Sequence, residues 1–100
     1  MNCVSRADIL DTLSRHRSEF TSWFRVSSLA VFGSVAREEA RPGSDVDILV
    51  SFEEPPGFGG YMALKWRLED LLGTRVDLVM QDALRPDARA VVEAEAIRVA

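Results

Sequence analysis

Asp45 and Asp47 are separated by one valine in the run Asp45-Val46-Asp47-Ile48-Leu49-Val50. A strand alternates its side chains, so both carboxylates leave one face, about 7 Å apart, while Val46, Ile48 and Val50 point the other way into a core. Two carboxylates held side by side repel one another. A divalent cation removes that repulsion, and hard oxygen ligands at this spacing suit magnesium or manganese. Asp77, in Arg75-Val76-Asp77-Leu78-Val79, supplies a third carboxylate near the start of another strand-like run. If the two strands are parallel, Asp77 comes to the same sheet edge as the pair.

A second group of residues suits an anion. The apolar run ending at Phe32 is broken by Gly33, and Ser34 opens a stretch of good helix formers, Ser34 to Ala40. Free backbone amides at a helix start, with a serine hydroxyl beside them, make a cradle for phosphate. Arg37, one helical turn on, can reach the same anion. If the strand before Gly33 is antiparallel to the Asp45 strand, cradle and carboxylates meet at one corner.

Other chemistries are poorly supplied. His16 is the only histidine and lies among helical charges, far from the oriented imidazole that a Ser-His-Asp site needs. Cys3 is the only cysteine, so an internal disulfide and a cysteine-based zinc site are both excluded. The segment Pro55 to Gly60 is rich in glycine but lacks the lysine and spacing of a phosphate-binding P-loop, and it reads as a flexible connection. The 100 residues are 47% hydrophobic and 28% charged, as in an ordinary single globular domain covering residues 1–100. Twelve basic residues, all but Lys65 arginine, face sixteen acidic ones, for a net charge of −4. That balance argues against direct nucleic-acid binding as the main work. No apolar run approaches a membrane span or a signal core, which predicts a cytoplasmic chain with no membrane association.

The elements that must position these residues follow from patterning. Ser5-Arg6-Ala7-Asp8 reads as a capping box, and Ile9, Leu10, Leu13 and Phe20 share one helical face, so a helix is predicted over Arg6 to Phe20. Strands are predicted at Ser27 to Phe32, Asp45 to Phe52 and Arg75 to Met80. Arg41 to Ser44 is a turn and Glu53 to Gly60 a loop. Tyr61 to Leu72 forms a helix with an apolar stripe of Met62, Leu64, Leu68, Leu71 and Leu72, stopped by Gly73. Asp82 to Pro86 turns the chain, Asp87 to Ala96 is a last helix, and Ile97 to Val99 can add an edge strand. The order is α-β-α-β-α-β-α, an α/β fold. A right-handed crossover through the Tyr61 helix makes the second and third strands parallel.

Gly33-Ser34-Val35-Ala36-Arg37 followed by Ser44-Asp45-Val46-Asp47 resembles the signature of the nucleotidyltransferases related to DNA polymerase β. The short length and the third aspartate in Arg75-Val76-Asp77-Leu78-Val79 are similar to the minimal nucleotidyltransferase (MNT) group. So is the tail Glu93 to Val99, although relatives commonly place tyrosine where Arg98 stands. The resemblance implies a small mixed sheet flanked by helices, ATP as substrate, and magnesium or manganese held by Asp45, Asp47 and Asp77. It implies nucleotide contacts from Gly33, Ser34, Arg37 and Ser44, with Asp77 also the general base. It further implies an antitoxin that transfers AMP to a tyrosine of a partner HEPN ribonuclease toxin and forms a hetero-oligomer with it. Two other readings stay open: a module that masks the toxin through Trp23, Phe24 and Trp66, and a nucleotidyltransferase for a small molecule. Tyr61 is a further candidate, as a stacking partner for adenine.

Overall fold

The computed structural model describes residues 5–41 and 43–100. Cys3, named above, and Pro42, within the turn expected from Arg41 to Ser44, lie outside the described residues. The chain forms α1 (Arg6–Arg15), α2 (Arg17–Trp23), β1 (Val26–Phe32), α3 (Gly33–Ala36), β2 (Val46–Phe52), α4 (Gly57–Leu72), β3 (Val76–Met80), α5 (Pro86–Glu95) and β4 (Ile97–Arg98), with a short 3-10 turn at Gln81–Ala83. Four strands make one mixed sheet in the order β3-β2-β1-β4. β2 and β3 are parallel, as the crossover rule requires, and β1 is antiparallel to both β2 and β4.

The core lies on one face of the sheet. Val46, Ile48, Val50, Val76 and Leu78 are buried there, together with Ile9 and Leu13 of α1, Phe20 of α2, and Leu64, Leu68 and Leu72 of α4. The spacing of the α4 leucines is one per helical turn, which is why they form a single stripe. Gly73 ends that helix in the left-handed conformation, with its N–H on the Glu69 carbonyl. α5 buries no side chain and passes over the ends of β1 and α3.

Several boundaries differ from expectation. The first helix is two, interrupted at His16, whose N–H turns back to the Leu13 carbonyl in a tighter turn before α2 begins. The Ser5 cap is present, its hydroxyl accepting from the Asp8 N–H at 3.1 Å. The helix expected over Ser34 to Ala40 stops at Ala36. Arg37 caps it, Glu38 turns to a positive φ of 59°, and the N-terminal Arg6 pins the corner by donating to the Ala36 carbonyl and pairing with Glu38. The loop expected to reach Gly60 instead gives way to α4 at Gly57. Asp45 lies just before β2 rather than in it. The last helix starts at Pro86, where the fixed φ of proline suits a first turn, and β4 ends at Arg98.

Candidate nucleotide and metal site

Sheet register brings the key residues to one edge. Asp47 pairs with Asp77 across the parallel β2–β3 ladder, and with Phe32 across the antiparallel β1–β2 ladder. The two aspartates therefore sit side by side on the face opposite the core, with Gly33 immediately past the end of β1. Gly33 has φ +71°, and a Cβ placed on it would fall 2.1 Å from Asp47 Oδ2. Only glycine fits, both for the backbone angle and for the carboxylate packed against it.

The electrostatics mark the same place. Asp47 is partly buried, and its carboxyl is held above the usual range, first by that burial and then by the charges of Asp77 and Asp45. Arg37 opposes the shift only weakly by comparison. A carboxylate made reluctant to ionise by burial and by two neighbouring carboxylates is a site short of positive charge. The donor set consists of hard oxygens, so Mg2+ or Mn2+ fits it. The three carboxylates are not drawn together as a ready-made cage: among the described residues no cluster of three or more acidic, histidine or cysteine ligands is assembled. Asp45 is engaged elsewhere, its Oδ1 lying 3.2 Å from Arg75 Nε. The structure thus joins Asp47 and Asp77, and pairs Asp45 with Arg75.

The anion cradle is also changed. The Gly33 amide is not free but donates to Glu95 Oε1 at 3.0 Å, and Arg37 Nη1 binds both oxygens of Glu95 at 3.2 and 3.0 Å. Arg37 Nε binds Glu39 at 3.2 Å. These contacts lower the proton affinity of Glu95, chiefly through the Gly33 amide, and raise that of Arg37. Among the described residues nothing engages the Ser34 hydroxyl. Ser44 closes its own turn, its hydroxyl accepting from the Arg41 N–H at 3.1 Å and its N–H donating to the Arg41 carbonyl at 2.9 Å.

Glu95 is the residue that sequence reasoning passed over, and the strand register explains its place. Val31 pairs with Ile97 and Ala30 with Arg98, so continuing that antiparallel count sets residue 95 level with Gly33. Tyr61 is not presented as a stacking surface. Its hydroxyl donates to the Leu78 carbonyl, and burial followed by the charge of Asp77 raises its proton affinity. It ties α4 to β3 behind the carboxylates. Trp23 and Trp66 stand out in solvent, at 82% and 62% exposure, whereas Phe24 packs partly against the core. A groove of about 580 Å³ involving Trp23, Phe24 and Arg67 lies at the far end of the sheet from Asp47. Its size gives it no claim to the chemistry, because Asp45, Asp47 and Asp77 are not among its lining residues.

Residues 13–99 match the model of the nucleotidyltransferase domain family. Protein adenylyltransferase MntA of Thermococcus cleftensis is 41% identical over 99% of this chain and 100% of its own length. A solved structure described as a minimal nucleotidyltransferase superposes with a TM-score of 0.75 at 44% identity, covering 88% of this chain and 93% of that one. The fold also matches a complex of tri-AMPylated Shewanella oneidensis HEPN toxin with MNT antitoxin, with a TM-score of 0.65 and 16% identity over 91% of this chain and 71% of that one. Paired aspartates beside a glycine turn, on a four-stranded mixed sheet and with full-length relatives of this kind, establish that the chain belongs to the nucleotidyltransferase domain family, among its minimal members.

Proposed function

We propose that this chain transfers AMP from ATP to a hydroxyl of a partner protein, a HEPN toxin, and neutralises the toxin by that modification. The observation that carries the reading is Asp47 and Asp77, in register on neighbouring strands, with the Gly33 turn pressed against Asp47. Asp45, Asp47 and Asp77 would hold Mg2+ or Mn2+, with Asp45 released from Arg75. When bound, such an ion neutralises phosphate charge and promotes deprotonation of the attacking hydroxyl. Ser34, whose hydroxyl has no partner among the described residues, and Arg37 bind the triphosphate, and Ser44 sets the turn that leads into Asp45. Gly33 serves by letting the chain pass close to Asp47. Asp77, the solvent-exposed member of the pair, takes the proton from the acceptor hydroxyl. The acceptor oxygen attacks the α-phosphorus, the bond to the bridging oxygen breaks, and pyrophosphate leaves. Positioning and charge neutralisation supply most of the rate.

The relative named as a protein adenylyltransferase and the AMP-bearing toxin of the Shewanella complex support a protein acceptor and an ATP donor. A tyrosine is the acceptor we favour. Residues 1–100 act as one nucleotidyltransferase unit, in the cytoplasm and in complex with the toxin. Among the described residues no helix is long and apolar enough to cross a membrane.

A second reading has its own observation. The exposed Trp23 and the groove beside it suit an aromatic docking surface, by which the chain could mask its partner without chemistry. Replacing both strand aspartates (Asp45→Asn with Asp47→Asn) separates the two. Loss of toxin neutralisation in cells, with the complex still forming, supports transfer; full neutralisation by the double variant supports masking.

A further inference from the structure

Glu95 stands at the last turn of α5 and reaches across to the β1–α3 corner. Its carboxylate joins two groups that belong to the nucleotide edge, the Gly33 amide and the Arg37 guanidinium. Glu39 takes Arg37 from the other side through Nε. Arg37 is therefore held between two anions. The corner that carries it is the one where Gly33 leaves no room for a side chain beside Asp47 Oδ2. Arg37 is bound to that corner by its own backbone as well, its N–H donating to the Gly33 carbonyl at 3.1 Å.

Next to this corner stand Asp47 and Asp77, whose paired negative charge attracts any cation free to move. A guanidinium released from Glu95 stays tethered within the same corner and is one such cation. Seated on the aspartates, it would take the place of the divalent ion and be lost to the triphosphate.

We propose that Glu95 is a positioning residue that holds Arg37 off the Asp47–Asp77 carboxylates, so that a divalent cation rather than a guanidinium neutralises them. This rests on the nucleotidyl-transfer reading of the edge. Glu95 touches neither substrate nor reacting atoms; it acts through Arg37.

The test is titration of the full chain with Mn2+ in the absence of nucleotide, followed by calorimetry. Glu95→Gln keeps an oxygen for the Gly33 amide but loses the charge that holds Arg37. It should weaken Mn2+ binding about fivefold, the scale of one partly exposed ion pair. Adding Arg37→Ala to Glu95→Gln should restore binding to that of Arg37→Ala alone, a rescue that a purely structural role for Glu95 would not give. Unchanged or tighter Mn2+ binding in Glu95→Gln, or no rescue in the double variant, overturns the proposal. Asp47→Asn is the control. If it abolishes Mn2+ binding while Glu95→Gln does nothing, the inference fails and the transfer site stands; if Asp47→Asn leaves Mn2+ binding intact, the metal reading of the edge fails and takes the inference with it.

Discussion

The two ends of the sheet are built on opposite principles. β1 runs from Val26, opposite Phe52, to Phe32, opposite Asp47, a span of about 20 Å. At the Phe32 end the strands deliver like charges to adjacent positions and press a glycine turn against one of them. At the Val26 end the surface is aromatic and ion-paired, with Trp23 in solvent, Phe24 half-buried, Arg25 bound to Glu53, and Arg67 clamped to Glu19 through two hydrogen bonds of 2.6 and 3.0 Å. The aromatic end is satisfied as it stands. The charged end is not, since Asp47 is pushed toward its protonated form by its burial and then by the charges of Asp77 and Asp45. A fold that maintains an unfavourable cluster of charge is organised around something that relieves it. An exposed tryptophan beside a groove marks a surface for contact, but it does not by itself name the occupant.

The contrast predicts where substitutions will hurt. Gly33→Ala should have the largest effect. The new Cβ meets Asp47 Oδ2 and the backbone angle is wrong, so nucleotide transfer should fall by about 10²-fold or more, with a lower melting temperature. Transfer assays and thermal denaturation check this together. Near-normal turnover would show that the corner tolerates a displaced Asp47.

Asp47→Asn sharpens the comparison from the stability side. The raised proton affinity of Asp47 means that the folded chain holds this proton more tightly than the unfolded chain does. Stability therefore falls as pH rises from the ordinary carboxylate range through the raised value, and the penalty is complete above it. In metal-free buffer Asp47→Asn should be as stable as the parent chain or more so at pH 7, and the gap should close on acidification. Denaturant unfolding at pH 3 and pH 7 measures it. A gap that widens at low pH would contradict the charge account. Glu95 has the opposite sign: its lowered proton affinity contributes stability that is present above the ordinary glutamate range and lost as pH falls.

How much of this was legible beforehand varies with the kind of interaction. The alternation of Val46 to Val50 and the leucine spacing of α4 are local patterns, and both appear in the folded chain, although Asp45, read as the first strand residue, lies just before β2. The parallel pairing of β2 with β3 follows from crossover handedness, so the approach of Asp77 to Asp47 was accessible too. What local pattern could not reveal was competition for partners. Asp45 is taken by Arg75, and the Gly33 amide and Arg37 are taken by Glu95, which lies 62 residues away from Gly33 in the chain. Helix-forming residues from Arg37 to Ala40 were outweighed by a tertiary anchor, Arg6, that fixes the corner after Ala36. The break at His16 has no signal in the residue types around it.

Effects at the aromatic end should be smaller. Arg67→Ala removes the tie between α4 and Glu19 of α2. The pair is partly exposed, so the loss should be about 1 kcal/mol at most in denaturant unfolding. A loss of several kcal/mol would mean that the two helices depend on this contact. Trp23→Ala should change stability by less than about 0.5 kcal/mol and leave ATP binding unaltered, because the ring is 82% exposed. If ATP binding fell with Trp23, the two ends could not be treated as separate.

The most direct measurement is mass spectrometry of a purified HEPN partner after incubation with this chain, ATP and Mg2+. The partner should gain the mass of AMP on a tyrosine with the parent chain. Labelling should be lost with Asp45→Asn or Asp47→Asn and strongly reduced with Asp77→Asn. A partner that is fully neutralised yet carries no added AMP would contradict transfer as the function of the charged edge.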